Sequence, residues 1–563
     1  MSLIVKQVQQ DIRERILAAA GRAMADGALP QAATGGFIIE VPADRKNGDF
    51  SSNAAMAWAR DLHRAPRQIA DAILSHMDLT GSYLARCETA GAGFLNFYLA
   101  DSYYAAILRD VREKGGAYGR SDFGRGQRIN VEFISANPTG PMHMGNARGG
   151  ALGDCLAAVL DAAGYDVYRE FYVNDAGNQI EKFALSLDIR YRQIFEGEAA
   201  VEMPEDSYHG EDIKEHAASF AAEYGDRFLG EDEAVRRKAL VDYALPKNIA
   251  LMRENVAKYR IIYDKWFFES ELHKGEVADT IRLMRDKGLT YEKDGALWYK
   301  ATEHGGEKDE VLIRSNGNPT YFAADIAYHR NKLQVRGFDK AIDIWGADHH
   351  GHVARMKGAL EAIGLDPDRL DVILMQLVRL MSGGEVVRMS KRTGKAITLT
   401  DLLDDIPIDA VRFLFNMREP GSQMEFDLDL AVEQSAQNPV YYCQYAHARI
   451  CSIFRKLAEQ GVTPRDCTTE ELERLNTPEE RELIRHLAAL TDEIVTAAKN
   501  YDPARITRYT IELASLFHKF YNACRVSGEE ESLMQARLFL CASVRDVIKN
   551  TLTMLKITVP ESM

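Results

Sequence analysis

Residues 129–164 read INVEFISANPTGPMHMGNARGGALGDCLAAVLDAAG. The first seven, INVEFIS, are an apolar run rich in β-branched residues and predict a buried strand. Further on, Leu152, Cys155, Leu156, Val159, Leu160 and Ala163 fall at helical spacing, a stripe closed by Gly164. The helix is therefore expected to start just after the stretch His143–Asn146. Between strand and helix lies Ala136–Asn146, ANPTGPMHMGN, with two glycines, two prolines and a histidine. Strand, glycine-bearing loop and helix in that order are the signature of an α/β nucleotide-binding sheet. Unpaired N–H groups and the helix dipole at such a helix start favour a phosphate. Gly145 lets the backbone approach adenine and ribose, and His143 can donate to a phosphate oxygen. A tight crossover turn without a ligand is the competing reading of this stretch alone.

Working outward, 563 residues exceed what one core normally holds, so several domains are expected. Residues 1–118 mix helical stretches with strand-like GFIIEV and GFLNFYL, and end in a glycine-rich segment that reads as a linker. Residues 119–400 carry the sheet, interrupted at about 180–259 by a charged helical insertion. Strand-like pieces return at ALWYK, VLIRS, KAIDIWG and DVILMQLV. Residues 401–438 connect to 439–563, where only amphipathic helices are predicted.

A second loop, GGEVVRMSKRTGK at 383–395, clusters Arg388, Lys391, Arg392 and Lys395. A loop of this kind can close over a triphosphate, and a lysine in it can offset charge building on the α-phosphate and pyrophosphate. The alternative is a solvated basic turn.

The two loops together resemble the paired signatures of class I aminoacyl-tRNA synthetases, and the match of both is more specific than either. VEFISANPTGPMHMGN, FYVNDAGNQI, TYFAADIAYHR, WGADHHGHVARM, NPVYYCQYAHAR and NGDFSSNAAM resemble the arginyl-tRNA synthetase family over nearly the whole chain. The resemblance implies a Rossmann-type α/β catalytic domain, an α+β N-terminal domain at the tRNA elbow and an all-α bundle for the anticodon. It implies the substrates ATP, accompanied by Mg²⁺, L-arginine and tRNA(Arg), an arginyl-adenylate, transfer to the terminal 2′-OH, and a need for tRNA before activation. The catalytic set it implies is His143, Asn146, Arg388 and Lys391. ATP contacts would come from Ala136, Pro138, Thr139, Gly140, His143, Gly145 and Asn146 in the first loop. Asp348, Val378, Met389, Ser390 and Lys391 would complete them, with backbone groups of Met375–Val378 reading adenine or Gln376 facing the substrate instead. Three positions depart from the family pattern: Asn146 stands where histidine is usual, Arg388 where lysine is usual, and Ser562 where arginine is common.

A guanidinium is planar, permanently charged and offers five donors, so its pocket needs carboxylates. Tyr321, Asp325 and His329 lie at i, i+4 and i+8 and share a face if the segment is helical. A structural helix face is the competing reading of that spacing. By resemblance Asp325 and Glu132 bind the guanidinium and Tyr321 sits beside it. Asn137 holds the α-amino or carboxylate end, with Ser135, His143 and His349 completing the arginine site. Glu132 inside an apolar strand also requires a cation on physical grounds, either the substrate or an internal Lys or Arg. In the helical region Tyr442, Tyr445 and Arg449 fall on one face, two stacking platforms and a cation for unpaired bases, or alternatively core packing. Phe94 and Asn96 are the candidates in the N-terminal domain.

The cluster Asp348, His349, His350 and His352 lacks the spacing of a metal site, and none is assigned. Seven cysteines without a C-x-x-C pair give neither a structural zinc ribbon nor a disulfide framework. That counts against a class I enzyme for cysteine, which calls for zinc to read a thiol. A net charge of −15, from 84 acidic and 69 basic residues, argues mildly against nucleic acid, yet a docked RNA needs only local basic patches. No signal peptide, membrane span or heptad seam is visible, so a cytoplasmic monomer is expected. A catalytically silent RNA-binding relative is the rival from another class, and Asn146 is its one sequence rationale.

Overall fold

The computed structural model describes residues 3–387 and 397–563. Five strands build the central sheet: β1 (Arg128–Glu132), β2 (Asp166–Val173), β3 (Lys265–Phe268), β4 (Lys340–Gly346) and β5 (Leu370–Met375). Their spatial order is β5-β4-β1-β2-β3, and every neighbouring pair is parallel. The order reverses between β4 and β1, and in doubly wound sheets ligands settle beyond the strand C-termini at that point. There the register sets Glu132 directly opposite Glu170 on β2 and Asp343 on β4, which places three carboxylates in one row.

β1 ends at Glu132, three residues before the predicted end of INVEFIS. Ile134 and Ser135 have φ of +69° and +37°, a left-handed conformation that a β-branched residue resists, and the chain turns out of the sheet. Helix α1 (Gly145–Ala162) follows, and all six residues of the predicted stripe are buried. Three helices, Asn178–Glu196, Glu211–Tyr224 and Glu233–Lys258, then pack around their own core of Phe183, Tyr191 and Phe220. β3, Lys-Trp-Phe-Phe, is too short to show a period and was not among the predicted strands. ALWYK and VLIRS form strands but stay out of the parallel sheet. A tight turn at Asp294-Gly295, both at positive φ, pairs ALWYK antiparallel with the strand Thr290–Lys293, and VLIRS pairs antiparallel with the other edge of ALWYK, in a separate three-stranded sheet. Helix α2 (Tyr321–Arg330) runs into a π-helical turn at Asn331–Val335, and α3 (His350–Ile363) follows β4.

The N-terminal region is a four-stranded antiparallel sheet flanked by helices. The glycine-rich segment read as a linker is packed instead. Tyr118 donates to the Leu487 carbonyl at 3.0 Å, and a Cβ on Gly119 (φ +95°) would stand 2.7 Å from the Leu490 side chain. The bundle consists of α4 (Pro439–Glu459), α5 (Pro478–Asn500), α6 (Ala504–Ala523) and α7 (Glu531–Met554). Asn438 caps α4 and a Thr477–Glu480 capping box starts α5. Arg412, fully buried, joins the parts. It donates to the Leu555 carbonyl (2.8 Å), the Tyr259 carbonyl (2.9 Å) and the Asp154 carboxylate on α1 (2.5 Å). Among the described residues no helix is long and apolar enough to cross a membrane.

Candidate active site

A cavity of about 820 Å³ opens at the switch point, with Glu132, Ser135, Tyr172, Asp325, His329, Asp343, Trp345, Asp348, His349 and His352 among its walls. Of the residues expected from sequence to hold an amino acid, it gathers Glu132, Ser135, Asp325 and His349. Tyr321 and Asn137 are not among its walls. Tyr321 opens α2, capped by Thr320, and its hydroxyl accepts from the Gln179 backbone N–H at 3.3 Å; Asn137 is exposed.

Glu132 is buried, and the internal lysine weighed against a substrate cation is present. Lys332 Nζ donates to Glu132 Oε2 at 2.5 Å and to Asp343 Oδ1 at 2.8 Å. Burial pushes the Glu132 carboxyl up while the Lys332 ammonium pulls the other way. Ser135 Oγ donates to Glu132 Oε1 at 2.8 Å and accepts from the Tyr172 N–H at 3.1 Å. His329 bridges outward, with Nδ1 2.8 Å from the Asp325 carbonyl and Nε2 2.7 Å from Asp343 Oδ2. Both ring nitrogens thus face acceptors, which favours the imidazolium. Burial opposes that charge but Asp343 outweighs it, and the His329 pKa is raised. Helix α2 does bring Tyr321, Asp325 and His329 to one face.

Glu269 went unnoticed in the sequence. It follows directly on β3, is 3% exposed, and hydrogen-bonds Tyr172. Burial, then the Asp325 and Asp175 carboxylates, push its carboxyl up to about 8. Asp325 meets His352 Nε2 at 3.0 Å and Glu269 meets His273 Nε2 at 3.4 Å. Neither has a lysine or arginine ion-pair partner among the described residues. The available signal was the acid ending an aromatic run, KWFFE, at the C-terminal end of a strand.

The first loop lies beside this cavity rather than in its wall. The Gly145 N–H donates to His143 Nδ1 at 3.1 Å, which leaves the ring proton on Nε2 of this exposed histidine, available to a phosphate oxygen. The Asn146 and Ala147 N–H groups are taken by the His143 and Met144 carbonyls, both at 2.9 Å. The expected set of unpaired amides at the helix start is therefore largely satisfied internally, and the dipole and His143 remain for an anion. Pro138 and Thr139 are buried, with the Pro138 carbonyl accepting from Asn248 at 3.0 Å; Ala136, Gly140, Gly145 and Asn146 are half-buried. Residues 142–144 bond to 397–399 (Met144 N–H to Ile397 O, 3.1 Å; Leu399 N–H to Met142 O, 2.8 Å), which ties the first loop to the chain just past the second.

Arg388, Met389, Ser390, Lys391, Arg392 and Lys395 lie outside the described residues. DVILMQLV breaks after Met375, and Val378 begins another strand. Buried Arg148 on α1 fixes that break, donating to the carbonyls of Gln376 (2.8 Å), Glu419 and Ser422 (3.0 Å each). The Gln376 N–H goes to the Pro420 carbonyl at 3.1 Å. Gln376, one of the residues expected to read adenine through its backbone, thus has both backbone groups engaged within the protein. Asp348 is well exposed at the cavity mouth.

On the bundle, the Tyr442 ring lies 5.1 Å from His518, exposed Tyr445 stacks 6.5 Å from Tyr441, and Arg449 reaches over Tyr445 (5.9 Å) and Tyr521 (4.4 Å). Phe94 is half-buried. Asn96, a candidate for tRNA contact, is 2% exposed and accepts from Ser51 Oγ at 2.8 Å, on a strand that lies between two others in its sheet with Leu95, Asn96 and Phe97 all buried.

This doubly wound sheet, with an acid-lined crevice at its switch point and a His-x-Gly loop beside it, has the form of a class I tRNA synthetase catalytic domain. The family model "tRNA synthetases class I (R), catalytic domain" matches residues 110–452. "Arginyl tRNA synthetase N terminal domain" matches 6–99 and "DALR anticodon binding domain" matches 443–563. The chain belongs to the arginyl-tRNA synthetase family. It is 53% identical to the arginine–tRNA ligases of Acetivibrio thermocellus and Ruminiclostridium cellulolyticum, in each case over all of both chains. Its fold is similar to that of Thermus thermophilus arginyl-tRNA synthetase, with a TM-score of 0.70 at 21% identity over 99% of this chain and all of that one.

Proposed function

We propose that the chain is an arginine–tRNA ligase, which joins ATP and L-arginine into arginyl-adenylate and passes arginine to the 2′-OH of tRNA(Arg). The observation that carries arginine as substrate is the pair Asp325 and Glu269, carboxylates at the switch point with no lysine or arginine partner among the described residues. A guanidinium supplies the missing charge and the planar donors. Tyr321 stands beside it, and Asn137, Ser135 and His349 are assigned the α-amino and carboxylate end.

No side chain serves as nucleophile, since the arginine carboxylate itself attacks the α-phosphate. The protein positions the reactants and stabilises charge. ATP enters as its Mg²⁺ complex. His143 donates from Nε2 to phosphate, with Asn146 beside it, and Asp348 and Val378 flank the nucleoside. Lys391, with Arg388, Met389 and Ser390, is assigned to the triphosphate by resemblance. Replacing Lys391 with alanine is expected to lower kcat for adenylate formation by about 10²–10³ with arginine KM little changed; pre-steady-state kinetics of that step check this. Transfer follows with tRNA held by Tyr442, Tyr445 and Arg449 at the anticodon and by the N-terminal domain, through Phe94, at the elbow. Bound tRNA is required before arginine is activated.

Glu269 must be ionised to meet the guanidinium, and its carboxyl in the free protein is pushed up to about 8. Arginine kcat/KM is therefore expected to rise with pH and level off near that value, and Glu269→Gln removes the rise. A profile flat from pH 6 to 9 would remove Glu269 from the site. The function itself is tested by offering each amino acid, ATP and homologous tRNA; only arginine should be charged.

A further inference from the structure

The helix Glu233–Lys258 closes the charged insertion, and Asn248, Asn255 and Tyr259, at i, i+7 and i+11, share one of its faces. All three are buried, so each polar group among them needs a partner. The partners belong to the nucleotide-binding elements. Asn248 Nδ2 donates to the Pro138 carbonyl in the first loop, Asn255 Oδ1 accepts from Thr400 Oγ1 just past the second, and the Tyr259 hydroxyl donates to the Ala147 carbonyl in the first turn of α1, each at 3.0 Å. With the Lys258–Asp404 ion pair, the last two anchor the end of the helix to the catalytic domain and make it a fixed support for Asn248.

Asn248 is itself held. Its Oδ1 lies 2.7 Å from His216 Nε2, and because the other side of the amide must donate to a carbonyl, that oxygen accepts and His216 carries its proton on Nε2. The first loop is already joined to residues 397–399 through Met142, His143 and Met144. A single seam of this kind leaves the loop free to pivot about it. Pro138 lies upstream of the seam, so the bond from Asn248 is a second attachment, and two attachments fix the angle at which His143 is presented. A neighbouring helix of the insertion, Glu211–Tyr224, closes on the same stretch: a Cβ on Gly140 would stand 3.3 Å from Asp212 Oδ2.

We propose that the helix Glu233–Lys258 braces the phosphate-binding loop, with Asn248, held by His216, as a positioning residue that keeps the Pro138 carbonyl, and through it His143, in place for ATP. Asn248 acts through the loop and touches no reactant. The inference rests on the reading of the first loop as the ATP phosphate site.

Arginine-dependent ATP–pyrophosphate exchange on the full chain, with saturating tRNA and rates expressed per titrated active site, is the assay. Asn248→Asp keeps the size of the side chain and an acceptor for His216 and removes only the donor to Pro138. It should lower kcat/KM for ATP about tenfold or more, with arginine KM within about threefold of the parent. His216→Leu, which frees the amide to turn, should lower the same constant at least about threefold, and His216→Gln, whose amide donates from the place of Nε2, should restore it. The two His216 variants decide the matter even if Asn248→Asp does not fold. An Asn248→Asp chain that unfolds more easily yet keeps kcat/KM for ATP per active site within about threefold, as a merely structural residue would, overturns the proposal, and so do His216→Leu and His216→Gln that behave alike. His143→Ala checks the underlying reading separately: unchanged kcat/KM for ATP in that variant removes the first loop from the ATP site, whatever Asn248 does.

Discussion

Replacing Asp325 with asparagine is expected to lower kcat/KM for arginine by about a hundred- to a thousandfold. The substitution keeps the size of the side chain and its place 3.0 Å from His352 Nε2, and leaves the main-chain carbonyl contact with His329 untouched. What it removes is the acceptor for a charged donor pair, and it turns an amide N–H toward the guanidinium N–H groups. Truncating one partner of a desolvated charge pair costs about 2–5 kcal/mol, with each 1.4 kcal/mol a factor of ten. The loss should appear with arginine alone, leaving tRNA affinity and ATP binding unchanged. Steady-state kinetics at a fixed tRNA concentration check it, and a kcat/KM within threefold of the parent would place the guanidinium elsewhere.

Arg412→Met is expected to cost about 3 kcal/mol of stability, the lower end of what breaking a buried pair costs. Its guanidinium satisfies two carbonyls and a carboxylate at once, at the meeting of α1, the end of the helical insertion and the end of the bundle. Methionine fills much of the volume but leaves Asp154 buried. Arg169 remains 3.3 Å from that carboxylate, which is why the lower end applies. Denaturant unfolding reads the effect; a change under about 1 kcal/mol would mean that the three parts are held together by apolar packing alone.

What was legible in the sequence was local. The strand, loop and helix at 129–164 announce themselves because apolar spacing and glycine placement act over a few residues, and the bundle helices do so for the same reason. The paired loops and their neighbouring text named the family correctly. What was hidden depends on partners far apart in the chain. Glu132 looked like a carboxylate awaiting a substrate, since nothing in INVEFIS reveals that Lys332, 200 residues on, reaches it from a π-helical turn. Glu269 is one acid after a four-residue strand, meaningful only once β3 is seen to end beside α2. The first-turn amides of α1 were counted as open, yet His143 closes back on Gly145, a detail of loop geometry that composition does not carry. Asn96 was a polar candidate for tRNA by resemblance, but it sits on a central strand buried on both faces and is held by Ser51, which the short stretch GFLNF does not reveal.

The central question is whether this crevice activates arginine. ATP–pyrophosphate exchange measured with each amino acid, with and without homologous tRNA, tests that directly. Exchange with arginine only, and only when tRNA is present, is the expected result. Exchange with another amino acid, or none with arginine while tRNA remains bound, would contradict it.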